Sequence, residues 1–267
     1  MQVLKHKTSR FKDNGLFAAE YNLAVEELLE IYIDGSPYAL TMRLPGDDIK
    51  LAAGFCFTEG LIASRSDLVS IKHCEAVPGK NRVLVSLDPK RVSNGRCFEE
   101  RAEYLSKSSC GLCGKSRAEE IYSELRPVAA FHPLQLGNLL LLRDLFEARQ
   151  TIYPLTGSTH SASIFSTREE LLAFAEDIGR HNALDKAIGA LILDGRPHEA
   201  FLAIVSSRLS FEMVQKAAVL GLEVLSGLSA PTSMAVAMAE RLNITLIGFL
   251  RENSMSIYTH PERILCS

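Results

Sequence analysis

The sequence is short of several things, and each shortage excludes a class of protein. It has no tryptophan, which by itself says little. It has no excess of charge: 23% of its 267 residues are charged and the formal net charge is −3, so it is neither a disordered chain nor a nucleic-acid-coating one. It has no apolar run of membrane-spanning length, and Met1 to Asn14 is polar and of mixed charge, without the apolar core of a signal peptide. The expected compartment is therefore the cytoplasm. There the six cysteines, at 56, 74, 97, 110, 113 and 266, stay reduced, which excludes a disulfide framework. Cys56 and Cys74 sit in apolar stretches and read as core residues. A second Cys-x-x-Cys is also missing, and with it the usual four-ligand structural zinc site.

What is present is ample apolar material, 47%, enough for one large domain or two modest ones. The first half reads as a small α+β unit. Leu29 to Ile33 and Tyr38 to Arg43 form strands joined by an Asp34-Gly35 hairpin turn, and a helix follows over Asp48 to Thr58. Leu68 to Val77 is strand-like, and Val83 to Leu87 is a further strand. Asp88 to Ser109, rich in Ser, Asn, Gly and charge, reads as a mobile linker. In the second half, strands at Thr159–Phe165, Leu171–Glu176, Phe201–Val205, Glu223–Leu228 and Thr245–Leu250 alternate with helices at Ala183–Leu193, Phe211–Leu220 and Thr232–Leu242. That rhythm predicts βαβ units around a largely parallel sheet. Ligands of such sheets bind beyond the carboxyl ends of strands. The loops to inspect are thus Ser206-Ser207-Arg208, Ser229 to Thr232, and Arg251 to Ser254.

Cys110-Gly111-Leu112-Cys113-Gly114 carries the chemistry. A helix-prone run follows it, and a helix start favours thiolate. Three readings compete: metal ligands, a dithiol redox centre, and a sulfur-carrying thiol. Zinc deaminases place His-x-Glu ahead of Pro-Cys-x-x-Cys. Here His73-Cys74-Glu75 precedes the pair, but Ser109 replaces the proline and His73 lies in a strand-like stretch. A thioredoxin-type centre should follow a strand, whereas this pair follows an irregular segment. A sulfur carrier needs only nucleophilicity, reach and a mobile loop.

A second polar concentration runs from Glu176 to Lys186. Arg180 offers a planar fork for phosphate or carboxylate. His181 and Asn182 stand where a helix begins, so backbone N–H groups there can face an anion. Asp185 falls on the first turn. Helix capping and a salt-bridged surface explain Asn182 and Asp185, but explain Gly-Arg-His-Asn less well, which favours an anionic ligand. Arg208 repeats the theme at the end of another strand, where simple capping is an equal reading. Thr156 to His160 reads as a loop unless its histidine faces the same cleft.

Together Cys110 to Gly114, the string Gly179 to Lys186, Ser229-Ala230-Pro231-Thr232, Thr58-Glu59-Gly60 and Tyr258 to Arg263 resemble, in order and over nearly the whole chain, the FdhD family of formate dehydrogenase accessory sulfurtransferases. The resemblance implies an enzyme that takes sulfane sulfur from a cysteine desulfurase as a persulfide. It delivers that sulfur to the molybdenum (or tungsten) bis-molybdopterin guanine dinucleotide cofactor needed by formate dehydrogenase. It implies Cys110 as the carrier with Cys113 as partner thiol, and a cofactor-binding segment at Phe249, Leu250, Arg251, Glu252, Asn253 and Ser254, joined by Arg180, His181, Asn182, Asp185 and Arg208. It further implies a homodimer without nucleic-acid or membrane partners. The fold it implies is a mixed-sheet, three-layer α/β/α domain over 109–267, similar to cytidine deaminases without their zinc chemistry. A smaller N-terminal α+β domain with its linker occupies 1–108. Leu28 stands where the family commonly has proline, and the turn at 251–254 lacks a second basic residue, which shifts weight to Arg180 and Arg208. A zinc nucleoside-type deaminase and a cofactor-binding chaperone without sulfur transfer are the alternatives.

Overall fold

Two left-handed residues, Asp13 (φ 49°) and Asn14 (φ 60°), reverse the chain near its start. The computed structural model, which describes residues 1–76, 78–89 and 125–266, pairs β1 (Val3–Lys12) with β2 (Gly15–Ala24) across them as an antiparallel ribbon. The sequence pattern did not predict this ribbon. Phe11 and Leu16 lie on one of its faces and Leu4, Phe17, Tyr21 and Leu23 on the other, all exposed, so neither face shows the one-sided alternation that marks a half-buried strand.

The predicted hairpin follows. Asp34 (φ 49°) and Gly35 (φ 84°) supply the positive φ pair that a two-residue turn needs. They join β3 (Glu27–Ile33) to β4 (Ser36–Arg43), and helix α1 (Asp48–Thr58) comes next, as expected. With β5 (Leu68–His73) and β6 (Arg82–Leu87) these strands form a four-stranded sheet in the order β4-β3-β6-β5. The domain division expected at 108/109 falls outside the described residues.

The second sheet has six strands. Ahead of it come β7 (Leu134–Gln135), α2 (Leu136–Ala148) and the single turn α3 (Tyr153–Thr156). The sheet itself uses β8 (His160–Phe165), β9 (Leu171–Asp177), β10 (Leu202–Val205), β11 (Val224–Gly227), β12 (Thr245–Gly248) and β13 (Ser256–Ile257), in the order β13-β12-β11-β10-β8-β9. Helices α4 (Arg180–Leu193), α5 (Phe211–Leu220) and α6 (Ser233–Arg241) connect them. A last strand, β14 (Ile264–Leu265), pairs with β7. Only β10, β11 and β12 run parallel; β8, β9 and β13 are antiparallel to their neighbours. The sheet is mixed rather than largely parallel. The turns at 166–170 and 249–255 are too short for the crossover that a parallel pair requires.

Alternation along β10 shows the layers. Ala203 and Val205 pack with residues of α4, α5 and α6, whereas Leu202 and Ile204 pack with Leu139, Leu142 and Phe146 of α2. The first of these apolar clusters also takes in Leu29, Ile31, Leu51 and Val83, so the N-terminal sheet and α1 share the core of the second sheet. Each such side chain, fully buried, stabilises by about 1.5–3 kcal/mol. At the join, α1 and α4 cross with backbones in contact: a Cβ on Gly54 would lie 1.8 Å from the Asp185 carbonyl oxygen, and one on Gly189 1.8 Å from that of Lys50. Two buried ion pairs flank the crossing. Lys186 Nζ lies 2.7 Å from Asp177 Oδ2 and donates to the Leu44 carbonyl at 2.9 Å. Lys216 Nζ reaches Asp185 Oδ2 at 2.9 Å and Thr58 Oγ1 at 2.8 Å. Among the described residues no helix is long and apolar enough to cross a membrane.

Candidate functional site

The strand directions place one set of termini together. β10, β11 and β12 all end on the same edge of the six-stranded sheet. Because Val205 pairs with Ala162 and His160 with Asp177, β8 starts and β9 ends on that edge too. The N-terminus of α4 follows within three residues. Residues 206–208, 229–232 and 249–254, the loops chosen from the sequence, therefore lie side by side. Backbone bonds tie them: Leu209 N–H donates to the Ala230 carbonyl at 3.1 Å, Thr232 N–H to Leu209 at 2.9 Å, and Phe249 N–H to Ser229 at 3.2 Å. The Thr232 hydroxyl caps α6 by accepting the Ala235 N–H.

Arg180 is the first residue of α4 and half-buried; its Nε is buried without a hydrogen-bond partner among the described residues. That N–H can take an acceptor. His181 Nε2 lies 2.8 Å from Glu212 Oε2 on α5. Burial alone would push the Glu212 carboxyl up, but the bond to His181 and the charges of His181, Arg180 and Lys216 bring it below its ordinary value. Arg208 is exposed. His160 Nδ1 stands 3.3 Å from Ser206 Oγ. Burial first, then the positive charges of Arg180, His181 and Arg208, hold its imidazole below the usual range, with Asp177 opposing.

Other residues chosen from the sequence face elsewhere. Asp185 is 2% exposed, and both its oxygens are taken by Lys216; its carboxylate braces α4 against α1 and α5 rather than facing the edge. Asn182 donates to the Met42 carbonyl at 2.8 Å and to Asp177 Oδ1 at 3.1 Å, so its side chain clamps α4 to β4 and leaves its backbone N–H as the group at the helix start. Leu250 is fully buried in the α2-side cluster and presents no side chain to the edge. Phe249, held at φ 52°, is exposed, as are Arg251, Glu252, Asn253 and Ser254, whose turn is closed by the Arg251 N–H donating to the Ser254 carbonyl at 2.7 Å. Cys110 and Cys113 lie outside the described residues. His73 ends β5 on the outer strand of the other sheet, with its Nδ1 3.0 Å from the Lys80 carbonyl oxygen. Ser206 and Glu212 gain their places through strand pairing and helix packing that the local pattern does not carry. The His160 loop carried one hint, a lone histidine among hydroxyls.

Residues 24–265 match the family model described as the FdhD/NarQ family. The chain belongs to the FdhD/NarQ family. It is 39% identical over 269 residues to a Streptomyces coelicolor protein named sulfur carrier protein FdhD, covering 97% of this chain and 95% of that one. A Sulfolobus acidocaldarius protein of the same name is 38% identical over 265 residues, covering 99% of each. The fold is that of a crystal structure assigned as a formate dehydrogenase accessory protein from Desulfotalea psychrophila, with a TM-score of 0.80, 22% identity, and coverage of 99% of this chain and 100% of that one. The β1–β2 ribbon precedes nearly all of the FdhD/NarQ match, and the edge described above lies wholly within it.

Proposed function

We propose that this protein is a sulfur carrier in formate dehydrogenase maturation, with Cys110 as the carrying thiol. The observation that carries the reading is near-complete alignment, at 38–39% identity, with proteins named sulfur carriers, together with a Cys-x-x-Cys pair in the chain. The Cys110 thiolate attacks the outer sulfur of a cysteine desulfurase persulfide. A new S–S bond forms, the donor's S–S bond breaks, and the donor cysteine leaves as thiolate. Cys113 is the supporting thiol. The acceptor of the sulfur is the molybdenum (or tungsten) bis-molybdopterin guanine dinucleotide cofactor, bound here as a substrate by a homodimer.

The sheet edge suits the anionic part of such an acceptor. Arg180 and Arg208 can take phosphate oxygens, the N–H groups that open α4 are donors suited to an anion, and the exposed 251–254 turn follows β12 at the same end of the sheet. Asn182 and Asp185 act as positioning residues. Their bonds to Met42, Asp177 and Lys216 fix the helix whose start carries Arg180 and His181.

The test is mass spectrometry of the full chain after incubation with a cysteine desulfurase and cysteine. A gain of one sulfur, lost in Cys110→Ala, is the expected result. Absence of any adduct on either cysteine, or an unchanged adduct in Cys110→Ala, would overturn the assignment.

A further inference from the structure

His160 opens β8 opposite Asp177, on the edge that carries Arg180, His181 and Arg208. Its partner is unusual in what it permits. Ser206 Oγ accepts the Ser161 N–H at 3.0 Å and lies 3.3 Å from His160 Nδ1. A hydroxyl has one hydrogen and two lone pairs. With one lone pair on Ser161, the hydroxyl can still meet the ring as donor or as acceptor. Beside a neutral ring with its hydrogen on Nε2, the Ser206 hydroxyl donates to Nδ1; the neutral Nδ1–H tautomer donates to the hydroxyl instead. Beside a protonated ring, Nδ1–H donates to the second lone pair, and the hydroxyl hydrogen is released to turn toward a ligand. Neither state loses a hydrogen bond.

The charges around the ring come from each neighbouring element. Helix α4 supplies Arg180 and His181, and the loop after β10 supplies Arg208. Against them stands Asp177 at the end of β9, already committed to Lys186. Glu212 on α5 is paired with His181. Burial first, and then this surplus of positive charge, disfavour the protonated imidazole. The Arg180 Nε, buried and without an acceptor among the described residues, leaves a donor for a negative group.

We propose that His160 is a further anion-binding residue of this edge, an imidazole that takes a proton from solvent when a phosphate-type dianion occupies the position beside Arg180 and Arg208, with Ser206 as its two-state partner. The inference rests on the anion-binding part of the proposed function. It adds the residue that matches the charge of the site to the charge of the ligand.

Sulfate is the probe, because it has the shape and charge of a phosphate dianion and does not titrate near neutrality. Ring resonances of the full-length protein are followed by NMR across pH, with and without saturating sulfate. The His160 midpoint should rise by about one pH unit or more on sulfate binding. His160→Asn should weaken sulfate binding up to about tenfold near about pH 5.5 and leave it unchanged near about pH 8. The wild-type titration stands even if that variant fails to fold. A His160 midpoint unmoved by sulfate, while Arg180→Gln and Arg208→Gln still lose the anion, overturns the role of His160 and leaves the edge as an anion site. Wild-type protein that binds no sulfate at any pH overturns both, and the Cys110 adduct then decides sulfur carriage separately.

Discussion

Cys56 lies fully buried on α1, and burial, reinforced by the negative charges of Asp185, Glu59 and Asp34, pushes its thiol up to about 12. Thiolate is the nucleophilic form, so at neutral pH this sulfur is inert as well as inaccessible. Cys266 is exposed and Cys74 half-buried. An alkylating reagent applied to native protein should therefore label Cys266 and spare Cys56 until the chain is unfolded, as peptide mapping would show. Labelling of native Cys56 at a rate like that of Cys266 would contradict the burial. The same contrast explains why composition alone cannot nominate a sulfur carrier: one residue type serves as core filler at 56 and as a proposed carrier at 110. What separates them is the glycine that follows Cys110 in the sequence, against a buried helix around Cys56.

Glu176 shows how a single carboxylate can organise an element. It ends near the edge of the sheet and accepts the N–H groups of Thr151, Ile152 and Tyr153 at 2.7, 3.0 and 2.9 Å. Burial pushes its pKa up, but these bonds outweigh it and bring the carboxyl below its ordinary value of 4.5. A depressed carboxylate contributes stability that is present above the unfolded value and lost as pH falls through the folded one. Glu176→Gln should cost about 1–2 kcal/mol at neutral pH, and the gap from wild type should close well below pH 4.5 in denaturation curves. A gap independent of pH would remove the charge from the explanation. Elements were legible in the sequence where their pattern is local. Fifteen positions from Leu29 to Arg43 carry most of β3, its turn and β4 through alternation and Asp-Gly alone. The β1–β2 ribbon was not legible, because it buries neither face. At the edge, Arg180 and Arg208 could be found from their loops. Asp185 could not be separated from them, since its partner Lys216 is thirty-one residues away.

Across the whole molecule, the N-terminal sheet and the six-stranded sheet are joined by what is absent from two positions. Gly54→Ala or Gly189→Ala would drive a methyl group into a carbonyl of the opposite helix, and neither helix can retreat without parting the shared core. Either substitution should lower stability by at least about 1–3 kcal/mol, measured by thermal or urea unfolding. A neutral outcome would mean that the helices separate freely. The crossing also shortens the distance between scaffold and site: Asp185, whose carbonyl touches Gly54, lies five residues from Arg180.

The glycine contact has a consequence in time as well. A chain is made from its N-terminus, so residue 54 leaves the ribosome's catalytic centre long before residue 189 is joined. Throughout that interval α1 has the first sheet to lie on but lacks the helix that Gly54 meets. The first sheet can assemble early, but its helix cannot lock until β8, β9 and α4 have been made. The locking of α1 against α4 and the fixing of the helix start proposed to face an anion are thus coupled. A half-made chain holds neither.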